Sequence, residues 1–272
     1  MNLDRRLNRS EKYLINRNLR LLKALLERII GMLVTGEMRQ KTFNWIKLQI
    51  EAQVDEYIKE FKKYLDKETL SIFNLSSKVA HESINVPFRG VPTNVMVWFN
   101  NNFMNFEDTI MKNYAGDLMR KIENTITAGI ISGTPTDVIA KMLIKEIPPN
   151  AKRRVQVMVR DQLGLAMQHG IWQTYQEYQD VIKAYKWSGP QDKRTTKWCE
   201  NRYKLTQKKP WTYEQIQKYI QTNPKKLKGK EIRADHGTFL HPHIQCRHRL
   251  LAIPESPKVV VNEAIKEVLR AR

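Results

Sequence analysis

The sequence predicts a mainly α protein, with a long-helix N-terminal region followed by a small loop-rich α+β C-terminal module. Two observations carry this. Apolar residues recur at spacings of three and four through roughly the first 180 positions, which places them on one face of a helix. After Trp187 that rhythm stops, and Gly189-Pro190, Pro210, Pro224, Gly229, Gly237, Pro242 and Pro254 interrupt the chain at short intervals. The boundary falls at about residue 186.

Taken in order, Ser10 is placed to cap a first helix running to about Leu33, with Leu14, Leu22, Leu25, Ile29 and Leu33 on its apolar face and Gly36 as its stop. A second periodic stretch covers about 40–65, with Phe43, Ile46, Ile50, Val54, Ile58 and Phe61 in register, and a third covers 68–83. Pro87, Gly90 and Pro92 then predict a turn. Val95, Val97, Trp98 and Phe99 suit a short strand or, better, the start of another helix, which is well patterned over about 106–128. The run Ser132-Gly133-Thr134-Pro135-Thr136-Asp137 reads as a helix start, with Thr134 as cap, Pro135 at the first helical position and Asp137 in the first turn. That helix is expected to end at Pro148-Pro149 and a further one to occupy 151–178. Beyond the boundary, one helix at about 212–221, short strands near 184–187 and 249–253, and a basic tail helix over 259–272 complete the reading.

Composition narrows the function. The formal net charge is +19, and the excess clusters. Residues 187–254 carry 15 Lys/Arg against 5 Asp/Glu, and residues 1–28 carry 8 against 3. Clustered positive charge points to a polyanion, and nucleic acid is the leading one. The longest apolar run, 29–34, is interrupted by Gly31 and falls far short of the ~20 residues that a bilayer span requires, so no membrane role is expected. Arg5, Arg6 and Arg9 are followed by more charge rather than by the apolar segment of a secretory leader. Two cysteines in 272 residues do not make a secreted disulfide framework, which points to a reducing cytoplasm or a particle assembled in one.

Both cysteines and four of the six histidines lie within residues 187–248. A proline-broken, charged module has few apolar side chains to bury, and zinc is one alternative source of order. Cys199, His241, Cys246 and His248 are the candidate ligands. No CxxC or HxxxH pair accompanies them, so a Cys199–Cys246 disulfide, histidines on a polar surface, or two buried free thiols, the commonest fate of cysteine in a cytoplasmic protein, compete with the metal reading. A hydrolytic reading would use Asp192, Asp235, His236 and His241 on a metal with Arg247 on a phosphate, but the His-Asn-His arrangement of such nucleases is missing. Asp192-Lys-Arg194-Thr195 reads instead as a structural turn, its carboxylate accepting backbone N–H groups and Arg194 bridging to carbonyls elsewhere. The run Lys225, Lys226, Lys228, Lys230 and Arg233, with Lys208 and Lys209, is the candidate DNA-contacting surface. Trp198, Trp211 and Tyr213 suit either the core or stacking on bases.

The order of these blocks resembles the Mu F-like phage head morphogenesis domain. Trp187-Ser-Gly-Pro-Gln-Asp192-Lys-Arg194-Thr195-Thr-Lys-Trp-Cys199 is similar to that family's Trp, D-x-R-T and Cys/His block. Phe239-Leu-His241-Pro242-His-Ile-Gln-Cys246-Arg247-His248 is similar to its closing element. The closing element here has three residues between His-Pro and Cys246 and ends in His248 rather than a second cysteine. The lead-in also resembles the family, through Gly133-Thr-Pro-Thr-Asp137, Arg160-Asp161-Gln162 and Gly170, so the resemblance spans about 110–254. It divides the chain into a helical N-terminal region (1–105), a helical lead-in (106–186), a basic module (187–254) and a tail (255–272).

The resemblance implies a non-enzymatic minor capsid protein acting in procapsid assembly. Its implied partners are the portal, other capsid or scaffold proteins and double-stranded DNA. Its implied location is the head interior, and the host cytoplasm during assembly. Trp187, Asp192, Arg194, Thr195, Pro242 and Arg247 would be its structural motif. Relatives that carry a fused toxin place it after this module, and the eighteen residues after Pro254 are too few for one. The alternatives are a metal-dependent nuclease or other DNA-processing enzyme of the same particle, and a cellular basic DNA-binding protein.

Overall fold

A computed structural model describes residues 3–35, 43–91, 93–193, 195–222, 226–227, 230–231 and 246–255. Four long helices dominate it: α1 (Leu3–Val34), α2 (Phe43–Ser83), α3 (Thr93–Ile131) and α4 (Thr136–Glu177). A 3-10 turn at Gln179–Val181 leads into β1 (Ile182–Ser188), followed by α5 (Lys197–Lys208), α6 (Tyr213–Thr222), the two-residue strands β2 (Lys226–Leu227) and β3 (Lys230–Glu231), and β4 (Arg249–Pro254). The protein is mainly α, with a small sheet in its C-terminal region.

The helices are longer than the sequence pattern suggests. Helix α1 starts at Leu3, itself buried, so Ser10 lies inside it. The Ser10 hydroxyl donates to the Glu68 carboxylate at 2.5 Å and caps nothing. The two stretches expected at 40–65 and 68–83 are one helix. No Gly or Pro interrupts 65–70, and the buried stripe Ile50, Val54, Tyr57, Phe61, Leu65 continues through Thr69, Ile72 and Phe73. The 93–131 segment is helical throughout, so the strand alternative at Val95–Phe99 falls away. Helix α4 begins at Thr136, with the Pro135 carbonyl accepting from Val138 and Ile139. It then runs straight through Pro148-Pro149 instead of ending there. Two N–H donors are lost, yet Ile147, Ala151 and Val155 stay buried on one face, and the Asn150 side chain donates to the Glu146 carbonyl at 2.8 Å. Burial of that face outweighs the local cost of the prolines.

Contacts divide the chain into two units. One comprises Asn2–Thr69 and Trp98–Leu163, the other Leu70–Val97 and Gly164–Arg272. In the first, the helical unit, α1 and α2 run antiparallel, because partners on α2 descend as those on α1 ascend. Arg6 and Ser10 meet Glu68, Arg17 meets Tyr64 and Glu60, Asn18 meets Tyr57, and Arg28 meets Glu56. Tyr57 also shares a 2.9 Å hydrogen bond with Tyr114 of α3. Burial holds the Tyr57 and Tyr114 hydroxyls above their ordinary pKa, Tyr57 by the wider margin.

In the second, the C-terminal unit, α2 and α4 approach closely enough to require glycine. A Cβ at Gly170 would lie 2.5 Å from the Phe73 carbonyl oxygen. Ser77 and Thr174 hydrogen-bond at 2.8 Å, and Ser83 and Tyr175 at 3.1 Å. Strands β1 and β4 pair antiparallel from Ser188↔Arg249 to Ile182↔Pro254, with a register shift between Ile182 and Ala184. Tyr185 also exchanges both backbone hydrogen bonds with Trp211, so the hinge before α6 is laid against β1. Both expected strands and the 212–221 helix are present, and α5 is an element the pattern did not reveal. The tail expected over 259–272 lies outside the described residues.

Candidate metal centre

Strand β1 carries Trp187 as its last residue but one, with a side chain that is fully buried. The next residues turn sharply, and Gly189 is required there. A Cβ on it would stand 2.5 Å from the His248 ring, closer than any side chain tolerates. The loop is then tied by Thr195, whose hydroxyl donates to the Pro190 carbonyl (2.7 Å) and accepts from the Asp192 N–H (3.0 Å). Thr196 caps α5 by accepting from the Cys199 N–H at 3.3 Å. Cys199 therefore occupies the first turn of α5, facing inward.

The other half of the site arrives from the far end of the module. Because Ser188 pairs with Arg249, the residues just before β4 emerge beside the 189–192 turn. Cys246 and His248 point inward there, and Arg247 between them points out, as alternation along an extended segment dictates. The Arg247 guanidinium makes a bidentate pair with Asp192, at 2.6 and 2.8 Å. Asp192 holds that guanidinium above its ordinary pKa. The Gln168 side chain of α4 donates to the His248 carbonyl, anchoring the segment from below.

Cys199, Cys246 and His248 are brought together and buried. Their exposures are 0%, 4% and 1%. The two sulfurs stand 3.7 Å apart, well beyond the ~2.05 Å of a disulfide bond, and both cysteines are free thiols. One donor atom from each of the three side chains lies within 4.8 Å of the others. His248 is stacked parallel to Trp187, with centroids 6.3 Å apart. Its Nε2 lies 3.2 Å from the Gln191 side-chain amide nitrogen, while its Nδ1 is buried with no hydrogen-bond partner. The Cys199 hydrogen bond and burial push the Cys246 thiol well above its ordinary pKa, which keeps it protonated and a poor nucleophile.

Aromatic and guanidinium packing surrounds the centre. Trp198 meets Trp187 edge-on, at 6.0 Å and 78°, and the buried Arg202 lies over the Trp198 ring. Thr206 accepts from the Trp187 N–H at 2.9 Å, closing α5 onto β1. Tyr213 stacks on Trp172 of α4. Trp198 and Tyr213 are thus packing residues.

Of the four predicted metal ligands, three converge, and His241 lies outside the described residues. Of the structural motif, Trp187, Asp192, Thr195 and Arg247 interlock, while Arg194 and Pro242 lie outside the described residues. Arg247 is the partner of Asp192, across 55 residues. Among the DNA-contact candidates, Lys208 and Lys209 are exposed at the end of α5. Lys226 and Lys230 sit on the paired strands β2 and β3, and Lys225, Lys228 and Arg233 lie outside the described residues. Sequence reasoning missed Gln168, Gly189, Gln191, Arg202 and Thr206. The i, i+4 spacing of Trp198 and Arg202 could have signalled their stacking. Nothing local marks Gln168.

Comparison of this chain with family models, with curated proteins and with solved structures finds no match.

Proposed function

We propose that this chain is a non-enzymatic minor head protein of a phage particle, acting in procapsid assembly with the portal and contacting packaged double-stranded DNA through its phosphates. One observation carries the reading. The Mu F-like resemblance rests on the blocks 187–199 and 239–250, and their described parts, 187–193, 195–199 and 246–250, are knitted into one knot by β1–β4 pairing, the Asp192–Arg247 pair and the Cys199–Cys246 contact. They hold a fold together. Asp192, which a hydrolytic site would need as a metal ligand, is engaged by Arg247.

The charge supports the DNA half of the reading. Lys208 and Lys209 are free to meet phosphates, and contacts of that kind are blind to sequence. Binding should weaken as salt rises, with a log–log slope of about −0.9 per phosphate neutralised on duplex DNA. The assembly half is tested by deleting the gene from the particle-producing genome and imaging the heads. The expected result is few or empty heads, together with the protein in purified wild-type heads by mass spectrometry. A normal yield of filled, infectious heads would overturn it. So would plasmid nicking by the purified protein in Mg²⁺, Mn²⁺ or Zn²⁺ that His241→Ala abolishes.

A further inference from the structure

We propose that Cys199, Cys246 and His248 bind one zinc ion that fastens the first turn of α5 to the segment leading into β4. The inference stands independently of any role in a phage head.

Three features of the site carry it. The first is the spacing of the sulfurs. Two thiolates at the usual zinc distance of about 2.3 Å, at tetrahedral angles, stand ~3.8 Å from one another. The Cys199 and Cys246 sulfurs are 3.7 Å apart. An ion enters between them with almost no movement of the backbone, whereas a disulfide requires the sulfurs to close by well over an ångström.

The second is the imidazole. Nδ1 of His248 is buried and has no hydrogen-bond partner, which costs free energy unless something else satisfies it. Nε2 faces the Gln191 amide at 3.2 Å. Nε2 is thus engaged by the Gln191 amide nitrogen, and Nδ1 is the ring nitrogen left over for a ligand. Ligating histidines are usually oriented by a partner at the far ring nitrogen. The ring cannot swing away, because it is wedged between Trp187 and Gly189.

The third is charge. Binding follows Zn²⁺ + 2 Cys–SH + His → Zn(Cys–S)₂(His) + 2 H⁺, and the centre that results is neutral. A neutral centre avoids the penalty of burying net charge, as a site under 5% exposed at every ligand requires. Two thiolates and one imidazole are soft and borderline donors, which suit zinc over magnesium or calcium. Three protein ligands leave one position for water or a further donor. The gain is structural. The sequence between the ligands spans 47 residues, and closing a loop of that length by an ion stabilises the fold that presents the ligands.

The test uses the full chain, expressed in zinc-supplemented medium and purified anaerobically with reductant. Elemental analysis is expected to find about one zinc per chain, and X-ray absorption to find two sulfurs at about 2.3 Å. Cys199→Ser and Cys246→Ser should each reduce zinc to background. Should they fail to fold, cobalt(II) titrated into chelator-treated wild-type protein reads the same site. A thiolate-to-cobalt charge-transfer band with tetrahedral visible bands is expected. Gln191→Ala keeps all three ligands and should weaken zinc binding about tenfold, at the low end for groups that orient a ligating histidine. Folded, reduced protein with neither bound zinc nor the cobalt band would overturn the proposal. So would zinc bound with no sulfur neighbour, or a Cys199–Cys246 disulfide in the anaerobic preparation.

Discussion

The helical unit and the C-terminal unit reach order by different routes. In the helical unit, Leu14, Leu22, Leu25 and Ile29 of α1 and Ile50, Val54, Phe61 and Leu65 of α2 form apolar stripes that are fully buried, and every one of them is periodic in sequence. In the C-terminal unit beyond α4, the largest buried groups are Trp187, Tyr185 and Trp198. They are held by a guanidinium, two thiols, an imidazole and hydrogen bonds between residues far apart in sequence. A long amphipathic helix specifies its own burial, because each turn repeats the previous one. A short proline-broken segment has no such repeat, and single long-range contacts carry its specificity instead.

The strongest blow to this contrast is Trp187→Ala. Removing a fully buried tryptophan should cost about 3–5 kcal/mol, and the near-UV signal of the C-terminal unit should be lost at lower urea than the far-UV helical signal. Coincident loss of both signals would mean that the two routes are not separable. The mirror variant, Leu22→Ala, should cost about 2–5 kcal/mol and reverse the order, the helical signal going first.

Titration at high pH gives an intermediate effect. The Tyr57 pKa is raised in the folded state, with burial as the largest cause, so the folded chain keeps a proton that the unfolded chain loses above pH ~10. Its stabilising contribution is complete below that pH and declines as pH rises towards the folded value, by up to about 1.4 kcal/mol per pH unit. Urea melts from pH 9 upward should show the decline. Tyr57→Phe should flatten it in the helical unit, and Tyr175→Phe, also raised by burial, should do so in the C-terminal unit.

The smallest effect is expected at Asp192–Arg247. The partners' side chains are 41% and 28% exposed, so a double-mutant cycle with Asp192→Asn and Arg247→Lys should give a coupling of about 0.2–1 kcal/mol that shrinks in high salt. A coupling several times larger would make this pair a principal clamp of the module.

The legibility of the chain follows the same division. Helical stripes and the short strands near 184–187 and 249–253 were readable from pattern, whereas Cys199, His241, Cys246 and His248 were only candidate ligands, with a disulfide, free thiols and surface histidines left open. Helix ends were not readable. Ser10 has the chemistry of a cap, but a buried Leu3 one stripe earlier extends the helix past it. Pro148-Pro149 has the chemistry of a stop, but Ile147 and Ala151 are buried on both sides of it. Helix α5 was hidden because its sequence, Lys197–Lys208, is polar on most of its surface, and Trp198, Cys199, Arg202 and Thr206 are its buried face.

What the sequence by itself determined is the class of the fold, the basic character of the module and the residue types available for chemistry, since periodicity, charge and composition are local properties. What only the tertiary structure decided is which residues meet. The pairing of Asp192 with Arg247, the 3.7 Å approach of two sulfurs 47 residues apart and the glycine that makes room for His248 all depend on β1 and β4 lying side by side. Strand pairing is a non-local contact, and no spacing along the chain encodes its register.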